Sequence, residues 1–300
     1  MALKWKTLFR FFISIIRWDE VLTGILMLSL GQAFNQFYGF RINADIFLNL
    51  VFWFFLIKVS TSFLEVALSG GLEKSIPIDF PHNVPSSDLR LIINQVIWML
   101  SILTAAMSFI PLIHIHDSAG FNHLSIWILS FYYFVNFVFF LESVQRVMEG
   151  MQEFTYAFAN AFLLPALSFS IPQDFLKPAL ILTAFPVFLQ LIVLKAGENI
   201  ESCLEGKIIS ADSLIARLGS PGALRMIALL ATISGLTLFL ETEISGIWYK
   251  AFIFTLDCVT AGLYFRSIVK QTPNWKYAYQ LTRLLSIAMP VLMIAAVWPF

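Results

Sequence analysis

The chain has 300 residues, of which 59% are hydrophobic, 16% aromatic and only 13% charged, and its mean hydropathy is +0.80. A soluble domain of this length does not have that composition, so the chain reads as an all-α, polytopic membrane protein. Its 19 basic and 19 acidic residues cancel, which leaves no global field to attract nucleic acid. Cys203 and Cys258 are the only cysteines and make neither a disulfide framework nor a zinc site.

Residues 1–20 place Lys4, Lys6, Arg10 and Arg17 around Trp5, Phe9, Phe12, Ile13 and Ile16, the pattern of an amphipathic helix lying on the membrane surface. The apolar stretch FFISII is too short for a signal-peptide core and no small-residue cleavage site follows, so the segment is expected to be retained. A spanning helix needs about 20 mostly apolar residues. Nine segments qualify: 21–40, 46–69, 91–112, 121–142, 154–171, 177–197, 222–241, 245–266 and 283–299, which together read as one transmembrane domain over 21–300. The fifth is interrupted by Pro165 and the ninth contains Pro290.

An odd number of spans puts the termini on opposite sides of the membrane. Of the 19 lysines and arginines, fifteen fall on the side of the N-terminus, three (Arg41, Lys177 and Lys250) on the other, and Lys58 inside a span. The positive-inside rule therefore places the N-terminus and the long loops in the cytoplasm and the C-terminus opposite. His114, His116 and His123 gather at one outer connection. With Asp117 as the one carboxylate nearby, they read as interfacial histidines in preference to a metal site.

The second segment, DIFLNLVFWFFLIKVSTSFLEVALSG, carries Lys58 near its middle and Glu65 two turns on, with Ser62 and Ser69 along the same stripe. A charge at mid-bilayer costs about 2.5 kcal/mol or more and usually faces a cavity or a partner. Seven residues of helix rise about 10.5 Å, so Lys58 and Glu65 cannot pair without a third group between them. A water-filled or ligand-filled cavity is the simpler expectation; bonding of Lys58 to the carbonyls of a neighbouring helix is the other. Beyond Glu65, the pair Gly70 and Gly71 lets the chain turn before Glu73.

A second acidic set follows the sixth segment, in KAGENIESCLEGK. Glu198, Glu201 and Glu205 stand at i, i+3 and i+7, on one helical face where the span meets water. Two carboxylate sets on one side of the membrane suit Mg²⁺ and a diphosphate, because hard cations take oxygen ligands and bridge phosphate oxygens. Arg146, after the fourth segment, adds a guanidinium suited to phosphate, whereas Lys207 reads as a positive-inside anchor. Asp257 is a further acid inside a span, either a hydrogen-bonded neutral carboxyl or a functional group.

This arrangement resembles the UbiA superfamily of intramembrane prenyltransferases, bundles of nine transmembrane helices whose two aspartate-rich motifs follow helices two and six on the cytoplasmic side. The first family motif reads NDxxDxxxD. Its counterpart here runs from Glu65 to Glu73, with Val66 where the second acid belongs and Ser69 at the third position. The second corresponds to ENIESCLEGK, followed by SLIARLG at 213–219, which is similar to the family's TLxxRLG-like segment. Arg146 falls near a family arginine that contacts diphosphate. No aspartate of either motif is retained, and glutamate's extra methylene moves any metal it holds.

The resemblance implies transfer of an isoprenoid chain from a prenyl diphosphate to a lipophilic acceptor with Mg²⁺. Glu65, Glu73, Glu198, Glu201 and Glu205 would then hold metal, and Glu65, Glu73, Glu201 and Glu205 would carry the catalytic role. Lys58, Ser62, Ser69, Arg146 and Asn199 would line the substrate, and some of the 31 phenylalanines and 8 tryptophans would wall the polyprenyl tail. The missing aspartates motivate a different class, a UbiA-like membrane subunit or lipid- or pigment-binding scaffold beside partner membrane subunits. Lys58 and Asp257 motivate a third, a transporter.

Overall fold

The computed structural model describes residues 12–40, 43–68, 86–138, 144, 150–204, 213–240, 246–270 and 275–297. Among these the secondary structure is helical, with no strand. In chain order the helices are α1 (Trp18–Phe37), α2 (Ala44–Leu68), α3 (Ser86–Met107), α4 (Phe109–Ala119), α5 (His123–Val138) and α6 (Gln152–Phe158). A π-helical turn (Ala159–Leu163) leads into α7 (Leu164–Ser170), followed by α8 (Pro178–Leu204), α9 (Leu214–Thr237), α10 (Ile247–Lys270) and α11 (Trp275–Val297). Residues 1–11 of the proposed surface helix lie outside the described residues.

Among the described residues six helical stretches are long and apolar enough to cross a membrane: Ala44–Leu68, Leu91–Ala119, Pro178–Cys203, Leu214–Thr237, Ile247–Ile268 and Lys276–Val297. Each overlaps one of the nine expected segments, although Leu214–Thr237 and Lys276–Val297 begin about eight and seven residues before the expected 222–241 and 283–299. The other three segments are helical but shorter or more polar. α1 opens with Asp19 and Glu20, α5 has 16 residues, and the fifth segment is divided by its π-turn. Pro165 has no N–H with which to reach the carbonyl of Ala161, and the wider turn stands at that point.

The packing divides into two compact units, Met1–Leu22 with Ala44–Gly120, and Thr23–Asn43 with Phe121–Phe300. In the first, α2 packs along α3 and α4. Val59, Phe63 and Ala67 of α2 meet Ile93 and Ile97 of α3, and Phe12, Ile15 and Ile16 cover this cluster. Ser60 and Ser101 exchange hydrogen bonds, each hydroxyl donating to the other residue's carbonyl (2.8 and 2.9 Å). Small hydroxylated residues at a crossing allow close backbone approach and satisfy each other where water is absent.

In the second unit α8 packs on α9 and α11, and α10 packs on the same two, closing a ring of four helices. Gly31 of α1 is required by contact, since a Cβ there would stand 2.3 Å from Pro165 O and 2.9 Å from Ser168 Cβ. Around that approach Gln32 donates to Ser168 O and Oγ (3.1 and 2.7 Å), Asn35 donates to Ser168 O (3.1 Å), and Ser168 Oγ donates to Leu28 O (2.8 Å).

Candidate functional site

In the first unit the charges of α2 are paired by the chain's own N-terminal region. Arg17 precedes α1 and Glu20 lies in its first turn, so the two side chains share a face at i, i+3. Arg17 Nη1 donates to Glu20 Oε1 at 2.9 Å, and Arg17 Nη2 donates to Glu65 Oε1 at 2.6 Å. Lys58 Nζ stands 3.4 Å from Glu20 Oε2 and 5.8 Å from the centre of the Phe54 ring. Glu65, Arg17, Glu20 and Lys58 therefore form a chain of alternating charge. The group that sequence reasoning required between Lys58 and Glu65 is this Arg17–Glu20 pair.

Where a filled cavity was the simpler expectation for Lys58, the side chain is 6% exposed and meets a carboxylate. Ser62, on the same stripe, donates back to Lys58 O at 2.7 Å. Arg17 and Glu20 were the missed members. In the sequence Arg17 reads as a basic flank of a surface helix, and the acids of the α1 first turn are the only local sign of a partner. Glu73 and Ser69 lie outside the described residues.

In the second unit the end of α8 carries Glu198, Asn199 and Glu201. Gly197 lets this end pack tightly: a Cβ there would meet Tyr279 Cδ2 at 2.9 Å and Tyr264 Oη at 3.0 Å. Glu198 Oε2 accepts from Lys195 Nζ at 2.9 Å, one helical turn back, and Lys195 also lies 5.2 Å from the centre of the Tyr156 ring. Glu201 is half-buried on the same helix. Glu205, Lys207 and Arg146 lie outside the described residues.

Asn199, expected near substrate, donates to Glu153 Oε1 at 2.7 Å and to Gln152 Oε1 at 3.4 Å. Glu153 is fully buried in α6, and its two carboxylate oxygens also accept the Leu214 N–H at 3.0 and 3.1 Å. A carboxylate at the first N–H of α9 satisfies an orphan donor and complements the helix dipole. Sequence reasoning missed Glu153, which falls one residue before the fifth expected span.

The SLIARLG stretch follows from local rules. Ser213 caps α9, its hydroxyl accepting from Ala216 N at 3.3 Å. One turn later Gly219 takes φ +66°, and Pro221 restarts the helix. Arg217 lies over Gly150, itself at φ +77°, where a Cβ would come 2.8 Å from Arg217 Cδ. Arg217, seated over Gly150, thus holds the start of α9 against the turn that leads into α6.

Glu65 belongs to one unit and Glu201 to the other. Among the described residues no three His, Cys, Asp or Glu side chains gather closely enough to hold a metal ion. Of the acids expected to ligate Mg²⁺, Glu65 and Glu198 each accept from an internal cation, so the described donor set does not fit that ion as it stands. His114 and His116 are exposed on α4, and His123 is exposed at the start of α5. Asp257 is fully buried in α10 beside Gly235, and neither of its oxygens has a hydrogen-bond partner among the described residues. Ser234, next to it, donates to Pro186 O at 3.0 Å.

The six apolar helices of spanning length among the described residues support an integral, multi-pass membrane protein of the all-α class. Its fold is shared with a solved structure of a digeranylgeranylglyceryl phosphate synthase in membranes, with a TM-score of 0.54 over 97% of this chain and 99% of that one, at 12% sequence identity. That protein is a UbiA-family membrane prenyltransferase, so the resemblance seen in the sequence is met at the level of fold. No family model matches the chain, and no curated protein matches it in sequence.

Proposed function

We propose that the chain is a UbiA-type membrane prenyltransferase that moves an isoprenoid chain from a prenyl diphosphate to a lipophilic acceptor. The single observation that carries this reading is the fold shared over nearly the full length with a membrane prenyltransferase. Under it the nine expected segments all cross the membrane, with the N-terminus cytoplasmic by the excess of Lys and Arg on that side. The acidic end of α8 would face the diphosphate, with Arg146 as a phosphate-binding cation. Phe158, Phe162, Phe188 and Phe185 form a ladder of ring contacts (5.7, 5.1 and 6.0 Å between centres) that suits an isoprenoid tail and an allylic cation. Mg²⁺ would neutralise the departing diphosphate when bound, although Glu65 and Glu198 are each already paired with a cation of the chain.

The test is incubation of the purified protein, in lipid nanodiscs with a total lipid extract as acceptor, with labelled prenyl diphosphates of several lengths and Mg²⁺. Transfer of label into an apolar product is the expected result. Absence of binding at every chain length overturns the reading.

The internal neutralisation of Glu65 and Glu198 favours a second reading, a UbiA-like membrane subunit or lipid-binding scaffold without the chemistry. In that case Glu201→Gln and Glu205→Gln leave the biological activity intact, whereas a prenyltransferase loses it.

A further inference from the structure

We propose that Arg17 is the resident cation of the acidic end of α2, so that Glu65 binds no divalent ion in this protein. Glu65 is the residue that opens the stretch aligned with the first acidic motif of the resembled family. In the structure one of its oxygens already receives a guanidinium N–H at 2.6 Å, and the other arm of that guanidinium is held by Glu20 at 2.9 Å. The two arms of the planar guanidinium are therefore committed to two different carboxylates, each through a charge-assisted hydrogen bond.

The charge of the cluster argues the same way. Glu65 and Glu20 are balanced by Arg17 and Lys58, four side chains with no net charge, and Lys58 is 6% exposed. A divalent ion at Glu65 would add two positive charges beside two cations already in place. It would also have to displace the guanidinium from Glu65, since a hard cation and an N–H donor compete for the same oxygen lone pairs. Releasing Arg17 would in turn break its 2.9 Å pairing with Glu20, whose contact with Lys58 is longer, at 3.4 Å. Expelling Arg17 therefore costs pairing on both sides of it.

The substitutions in the aligned stretch agree with this exchange. Val66 stands where a second acid would be, so Glu65 lacks a neighbouring carboxylate that would help a metal ion displace the guanidinium. Arg17 supplies a fixed positive charge at the place where the family pattern would use a metal. The inference rests on the proposed function only in aligning Glu65 with that motif; the pairing itself does not depend on it.

The experiment is a Mn²⁺ titration of the full-length, detergent-solubilised protein followed by electron paramagnetic resonance, with no diphosphate present. The wild type and Glu65→Gln should bind Mn²⁺ with the same stoichiometry and with affinities within about twofold of each other. Arg17→Met should gain a bound ion, or at least about tenfold in Mn²⁺ affinity, and the double variant with Glu65→Gln should lose that gain. Arg17→Lys, which retains the charge but not the two-armed guanidinium, should gain less Mn²⁺ affinity than Arg17→Met. Loss of a bound ion in Glu65→Gln alone overturns the proposal, as does an Arg17→Met protein with no gain. Should Arg17→Met fail to fold, the comparison of wild type with Glu65→Gln decides alone. Because the titration holds no prenyl substrate, its failure is separate from failure of the transfer assay.

Discussion

Glu153 is the side chain on which the start of α9 depends, and Glu153→Gln tests that dependence at almost constant shape. In the wild type both carboxylate oxygens accept from Leu214 N (3.0 and 3.1 Å) and one also accepts from Asn199 Nδ2 (2.7 Å). Glutamine retains one acceptor and turns an N–H₂ toward donors on the other side. A hydrogen bond to a charged group is worth roughly 1 kcal/mol more than a neutral one, and two partners are involved. The interaction of a negative charge with the helix N-terminus adds about 0.3–1 kcal/mol. The expected loss is therefore about 2–3 kcal/mol, which for a domain of 150–250 residues lowers Tm by roughly 4–12 °C. Thermal unfolding of the detergent-solubilised protein by tryptophan fluorescence reads the shift. Asn199→Leu placed on Glu153→Gln should cost less than on the wild type, because the two share one bond. A Glu153→Gln protein that melts within about 1 °C of the wild type would refute the reasoning that this carboxylate fastens α9.

Three further outcomes follow from the packing. Glu20→Gln removes the carboxylate that faces buried Lys58 and should destabilise by about 3 kcal/mol or more, whereas Lys58→Met removes the buried charge itself and should cost far less; equal melting temperatures for the two would contradict the pairing. Gly31→Ala drives a Cβ to 2.3 Å from Pro165 O, backbone against backbone, and should cost about 1–3 kcal/mol in the same melts; a neutral result would mean that α1 does not touch α7 there. Asp257→Asn replaces a fully buried acid whose oxygens lack hydrogen-bond partners among the described residues. It should be neutral or stabilising in the melt and leave prenyl transfer unchanged, while loss of transfer at full stability would give Asp257 a functional role.

The difference between what the sequence discloses and what it hides follows the range of the forces involved. Spans are legible because lipid imposes one rule on every residue of a segment, and α2, α8 and α11 obey it wherever they pack. The turn at 213–219 is legible for a similar reason: a serine cap, a glycine at positive φ and a proline are local demands met by local residues. The ion partners are of another kind. Glu65 and Arg17 are 48 residues apart, and nothing in the stripe of α2 distinguishes an acid awaiting a metal from one already held by a guanidinium. The spacing of Lys58 and Glu65 did require an intermediary, because about 10.5 Å of helix rise cannot be bridged by two side chains alone. Which residue fills that gap depends on how the segment before α1 docks on α2, through Phe12, Ile15 and Ile16 against Phe63 and its neighbours. Apolar docking thus selects the ion pair: once those three side chains are seated, Arg17 follows directly after them and is delivered to Glu65. Polar or alanine replacements at Ile15 and Ile16 should therefore loosen the Arg17–Glu65 contact without touching either charge. In the Mn²⁺ titration such a variant should approach Arg17→Met, and one that binds like the wild type would separate the docking from the pairing.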